Sequence, residues 1–138
     1  RRAREEGVEG KTEFCTADVL ALPFAAERFD VVFAESVLVF VENKAQAIQE
    51  CVRVTKPGGY VGLNEGYWTQ PPSPELIKRV KSAIGTHVPA LADWRVLWAA
   101  SGLQERVMRE FPIDASNEVR SRIQWIGWRW LTFACAWP

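Results

Sequence analysis

Three acids are the residues best placed for chemistry: Asp18, Glu35 and Glu65. Each follows or ends an apolar, β-branched stretch: "TEFCTA" before Asp18, "FDVVFAES" around Glu35 and "YVGLNE" ending in Glu65. Carboxylates accept hydrogen bonds and balance cationic ligands, so acids gathered at strand ends suit a polar or positively charged small molecule. One acid after a strand candidate means little, because loops are polar anyway. Three in succession point to one rim. His87, in "GTHVPA", has no Ser or Cys nucleophile pattern beside it and reads as a surface loop residue, with a general-base role as the alternative. Cys15, Cys51 and Cys135 are widely spaced and odd in number. They form no CxxC pair and no disulfide framework, so no metal site is expected, and a reducing, cytoplasmic setting is.

The elements that must position these acids follow from local pattern. "RRAREEGVEG" reads as the tail of a helix closed by Gly7. "TEFCTA" is a strand candidate, followed by the loop "DVLALPFAAER". "FDVVFAES" alternates little, which predicts a strand covered on both faces. "NKAQAIQECVRVTKPGG" has helical spacing, with Asn43 as cap and Pro57-Gly58-Gly59 as the stop. That glycine pair reads as a turn before the strand "YVGLNEGYW", not as a phosphate cradle. "SPELIKRVKSAIG" predicts a helix capped by Ser73, with Pro74 in its first turn. "PALADWRVLWAASG" predicts another, ending at Gly102, and "LQERVMREF" a half-wet strand. Strands separated by helix-length segments imply a parallel α/β sheet, whose ligands bind beyond the carboxyl ends of its strands. Asp30 opens its strand and belongs to the opposite edge.

The bulk numbers exclude other classes. With 138 residues and 48% apolar side chains, the chain can bury a core but holds one domain at most. Seventeen basic and seventeen acidic residues cancel, and no segment carries the basic excess that nucleic acid requires. The chain begins without Met and ends abruptly in "LTFACAWP". Both ends read as cut, so a longer protein is expected.

The run "ADVLALPFAAERFDVVFAESVLVFVENKAQAIQECVRVTKPGGYVGLNE" resembles class I S-adenosylmethionine-dependent methyltransferases, nearest the ubiquinone/menaquinone-type enzymes. The matching pieces are "AD..ALPF", "FDVVFAES" and the helix running into "VTKPGGYV", in family order and spacing. The resemblance covers about Val8 to Glu65. It implies a Rossmann-like α/β sheet with S-adenosyl-L-methionine across the strand ends. "TEFCTA" would be the third strand, "FDVVFAES" the fourth and "GYVGLNE" the fifth. Asp18 matches the acid that accepts from the adenine amino group, and Val19 the backbone N–H that meets the ring. A plain turn cap is the alternative for Asp18. Ala34, Glu35 and Ser36 match the turn that holds the methionine end. Glu35 fits a cofactor or substrate contact as well as a solvated loop acid.

The departures from the family matter as much. Its first two strands and its glycine-rich turn are missing, so the sheet is expected to be incomplete. Taken alone, the chain is expected to bind the cofactor poorly. Relatives carry histidine where Leu38-Val39-Phe40 stands, and an apolar lip suggests a lipophilic acceptor. Phe40, Glu65, Tyr67 and Trp68 are the substrate-side candidates, with ordinary loop packing as the other reading of the last three. No catalytic residue is identifiable.

Residues 1–112 read as the carboxy-terminal portion of a methyltransferase domain, and 113–138 as a Trp/Arg-rich helical tail. In that tail Ile123, Ile126 (or Gly127) and Trp130 share a face, with Arg120, Arg122 and Arg129 on the other side. It would cover the substrate mouth or, alternatively, make peripheral membrane contact. It is too short and too charged to span a bilayer. The expected function is methyl transfer to a small or lipophilic acceptor, with a non-catalytic, methyltransferase-like module as the alternative. A nicotinamide-dependent dehydrogenase fits poorly, for want of its glycine fingerprint. Neither the acceptor nor the oligomeric state is fixed by the sequence.

Overall fold

A computed structural model describes residues 2–111. The chain divides into two units, 1–105 and 106–138. The described part of the second, residues 106–111, contains no helix or strand. The expected Trp/Arg-rich helix lies outside the described residues.

The centre of the first unit is one strand–helix–strand repeat. Strand β1 (Phe29–Glu35) pairs in parallel with β2 (Thr55–Asn64), from Val31 opposite Tyr60 to Glu35 opposite Asn64. A 3₁₀ turn (Leu38–Phe40) and helix α2 (Lys44–Val54) make the crossover. Asn43 caps α2 as expected, its side chain accepting the Gln46 N–H at 3.2 Å. The helix stops at Val54, before Pro57, because proline disfavours helical backbone in the residue ahead of it. Ala47, Ile48, Cys51 and Val54 lie on one face of α2 and are buried. Ala47 and Ile48 join Ala34, Leu38 and Trp94 in the core. Full burial of Leu38 or Ile48 contributes roughly 1.5–3 kcal/mol each.

The remaining helices begin and end near the expected residues. Helix α1 (Arg2–Glu5) precedes Gly7 at φ +67°, and α3 (Pro74–Ile84) is capped by Ser73, whose Oγ accepts the Leu76 N–H at 3.2 Å. Helix α4 (Leu91–Ala100) puts Trp94 into the core, with its indole N–H donating to the Gly66 carbonyl at 3.1 Å. Trp98 stacks on Trp94 at 6.3 Å.

Three strand expectations need correction. "TEFCTA", residues 12–17, forms no strand. Backbone groups become a strand only when a neighbour pairs with them, and no strand of the described residues lies alongside. Residues 103–111 form no strand either, for the same reason. Finally, β1 is covered on one face rather than two. Ala34 is buried and Val32 partly so, whereas Val31, Phe33 and the neighbouring Tyr60 are 60%, 62% and 64% exposed. Helix α2 packs against both strands, on the face that buries Ala34, while the face bearing Val31, Phe33 and Tyr60 stays exposed.

Pro57-Gly58-Gly59, read as a turn before the strand, lies inside β2, where the pairing register with β1 jumps between Thr55 and Tyr60. Gly59 lies so close to β1 that a Cβ there would come within 2.6 Å of the Asp30 carbonyl oxygen. The close approach of the two strands leaves no room for a side chain there.

A candidate ligand rim at the carboxyl end of the sheet

Helix α2 fixes the loop that bears Asp18. Gln46, Glu50 and Arg53 fall on one helical face at i, i+4 and i+7. Gln46 donates to the Leu20 carbonyl at 2.9 Å, and Glu50 accepts the Leu22 N–H at 2.8 Å. Arg53 donates to the carbonyls of Leu22 (3.0 Å) and Phe24 (2.8 Å) and to both oxygens of Glu50. The ladder continues with Glu27 N–H to the Arg53 carbonyl and Arg28 N–H to the Val54 carbonyl. The loop therefore descends along α2 from its first turns to its last. Asp18 sits at the level where α2 starts, which is the carboxyl end of β1. Sequence reasoning missed this ladder, although its signal was the polar 46-50-53 spacing between the buried positions.

Asp18 has a local duty. Its Oδ1 accepts the Leu20 N–H at 2.9 Å, and its carbonyl accepts the Ala21 N–H. The second carboxylate oxygen and the Val19 N–H have no partner among the described residues. The Val19 side chain packs against the core. An idle acceptor thus stands beside an idle donor.

At the end of β1, Ala34 is buried and can offer a ligand only its backbone. The Glu35 side chain is exposed and has no partner among the described residues. Ser36 adopts φ +52°, a left-handed conformation uncommon for a residue with a Cβ. Its N–H donates to the Asn64 carbonyl at 2.8 Å.

Glu65, expected on the substrate side, is engaged behind this turn. Its Oε1 accepts from Val37 N–H (3.0 Å) and Leu38 N–H (2.8 Å), and its Oε2 from Val39 N–H (3.1 Å). Hydrogen bonds to a charged group contribute about 1.5–3 kcal/mol each, though not additively. Lys44 lies below, 4% exposed, donating to the Val41 carbonyl at 2.7 Å and to Thr86 Oγ1 at 3.1 Å. Burial lowers the Lys44 pKa from its ordinary 10.5, against the pull of Glu65 and Glu42. No contact visible in the sequence announced Glu65 and Lys44, which meet turns 26–28 and 42 residues away.

Of the other substrate-side candidates, Phe40 is 55% exposed at the end of the 3₁₀ turn. Tyr67 packs against the core, and Trp68 forms a single bridge to Ala90. His87 is exposed between α3 and α4, next to the buried Thr86. Asp30 lies at the amino edge as expected, paired with Lys56 at 2.8 Å. A shallow hollow at that edge, lined by Glu27, Thr55, Lys56 and Gly58, gathers none of the acids above. No group of metal-ligating side chains occurs among the described residues, and no described helix is long and apolar enough to cross a membrane.

This parallel strand–helix–strand unit with its acidic carboxyl rim defines a Rossmann-like α/β fold. The fold recurs in YcgJ from Bacillus subtilis, with a TM-score of 0.67 at 23% identity, over 87% of this chain and 53% of that one. It recurs also in a Haemonchus contortus phosphoethanolamine N-methyltransferase solved with S-adenosylhomocysteine, with a TM-score of 0.60 at 19% identity, over 87% and 28% of the two chains.

In sequence, the methyltransferase domain family matches residues 1–63. The UbiE ubiquinone/menaquinone C-methyltransferase of Ectopseudomonas mendocina is 38% identical over 77 residues, 56% of this chain and 29% of that protein. The chain resembles class I methyltransferases in both sequence and fold. It spans 22% to 41% of the length of the curated relatives it matches first.

Proposed function

We propose that this chain is part of an S-adenosylmethionine-dependent methyltransferase that acts on a small or lipophilic acceptor. The observation that carries the reading is the idle pair at the carboxyl rim. Asp18 Oδ2 and Val19 N–H stand unused in a loop that α2 side chains hold through backbone groups of Leu20, Leu22 and Phe24. An adenine edge presents an amino donor beside a ring-nitrogen acceptor, the complement of that pair. Asp18 and Val19 would hold the adenine. The backbone of Ala34 to Ser36 and the Glu35 carboxylate would meet the cationic methionine end.

When bound, S-adenosylmethionine supplies a methyl group on a positively charged sulfur. The residues of this chain would orient that ligand and shield it. Holding an acceptor in line at close range is worth on the order of 7–11 kcal/mol at best, so transfer requires no protein nucleophile. Phe40, exposed at the lip of the rim, favours an acceptor with an apolar portion. The likeness to a quinone C-methyltransferase supports the same class weakly.

The test is calorimetric titration of the protein made from its full reading frame with S-adenosylhomocysteine. Asp18→Ala should weaken binding by about 1–3 kcal/mol, the cost of a lost buried hydrogen bond. Unchanged affinity would remove the adenine assignment. No binding by the parent protein would favour the non-catalytic module.

A further inference from the structure

We propose that Glu65 is a positioning residue, which takes up the backbone donors of the turn after β1 so that the turn presents acceptor oxygens, rather than N–H groups, to a bound cation. The claim about the ligand rests on the methyl-donor reading above; the claim about the turn stands on geometry alone.

Four consecutive N–H groups, from Ser36 to Val39, are taken up by two adjacent residues of the neighbouring strand end. Asn64 takes the first with its carbonyl, and Glu65 takes the next three with both carboxylate oxygens, at 2.8–3.1 Å. The Val37 and Leu38 carbonyls accept from the Phe40 and Val41 N–H groups, so what remains are the Ser36 carbonyl and hydroxyl and the unpaired Glu35 carboxylate. Donors aimed at an ammonium or sulfonium would repel it, whereas acceptors attract it. The same carboxylate fixes a backbone that includes the left-handed Ser36. Such a conformation persists only where its surroundings over-determine it. At the far end of the turn, the buried ammonium of Lys44 holds the Val41 carbonyl and ties it to Thr86. Glu65 therefore shapes the site without facing the ligand.

Glutamine makes a sharp probe. It matches the size of Glu65 but has one acceptor oxygen, and its NH₂ would confront the Val39 N–H, donor against donor. The experiment combines amide hydrogen exchange with calorimetric titration by S-adenosylhomocysteine, on protein from the full reading frame. In E65Q, exchange at Val37, Leu38 and Val39 should quicken about tenfold or more, with Val32 and Ala47 unchanged. Affinity for S-adenosylhomocysteine should fall at least about tenfold, a loss near 1.4 kcal/mol. A core truncation, Ile48→Val, should lower the melting temperature yet leave affinity alone, which separates positioning from general stability.

Unchanged exchange at the three amides would overturn the proposal, as would unchanged affinity in a variant whose parent binds. If the parent does not bind S-adenosylhomocysteine, the methyl-donor reading fails and the exchange pattern alone decides. If E65Q loses protection everywhere, Glu65→Asp decides, since it keeps the charge with a shorter reach. Local quickening in that variant supports positioning, and global loss refutes it.

Discussion

Arg53 holds the Glu50 carboxylate down to about 2, from an ordinary 4.5, chiefly through its hydrogen bonds to that group. The Leu22 N–H pulls the same way, against the effect of burial. Because the folded value lies below the unfolded one, the stabilisation is complete above pH 4.5 and is lost as the pH falls toward 2. Glu50→Gln should therefore flatten the acid limb of stability. Thermal unfolding followed by circular dichroism between those limits would register it, and an equally steep limb in the variant would refute the assignment. This pair also carries the loop that bears Asp18, so the acid limb and the proposed cofactor contact share a support. At the same scale, Glu35 and Glu65 were legible in the sequence as acids at strand ends, whereas Asp18 follows no strand and sits in a loop. Their separate duties were not, because a carboxylate's partners lie far along the chain. Glu65 meets N–H groups more than two dozen residues upstream, and no local pattern encodes that.

At the scale of elements, the two parallel strands come close enough to exclude a side chain at two glycines, with different consequences. A Cβ at Gly59 would press on the Asp30 carbonyl and the Lys56 carbonyl, which are backbone and cannot swing away. A Cβ at Gly62 would meet the Phe33 ring at 2.5 Å, but that ring lies on the open face and can rotate. Gly59→Ala should destabilise by about 1–3 kcal/mol, in the range of overpacked cores, and Gly62→Ala by clearly less. Chemical denaturation of both variants checks the order; equal losses would contradict this account of the strand pairing. The strand–helix–strand unit was readable in advance because its signals are local: the Asn43 cap, the 3.6-residue spacing of Ala47, Cys51 and Val54, and the Pro-Gly-Gly stop. "TEFCTA" was not, since β-propensity describes fitness for a sheet and the sheet must supply a neighbour. The open face of β1 was misread for a related reason. A run of apolar residues records what a strand can bury, not which layers are present.

Across the first unit as a whole, polar groups divide between the two ends of the sheet. The carboxyl end holds Glu35 and the Glu65 carboxylate that grips the turn after β1, while the amino end holds the Asp30–Lys56 pair and a shallow hollow. Helix α2 links the ends, capped by Asn43 at one and gripping the descending loop through Arg53 at the other. The same helix buries Ala47 and Ile48 against Ala34 and Trp94, so the packing that stabilises the unit also sets the height of Asp18. The resemblance to class I methyltransferases in sequence over residues 1–63 fits this arrangement. A heteronuclear NMR titration of the full-reading-frame protein with S-adenosylhomocysteine addresses it most directly. Amide shifts should concentrate at Val19, Glu35 and Ser36. Shifts concentrated instead at Glu27, Lys56 and Gly58 would place the ligand at the opposite edge and contradict the account.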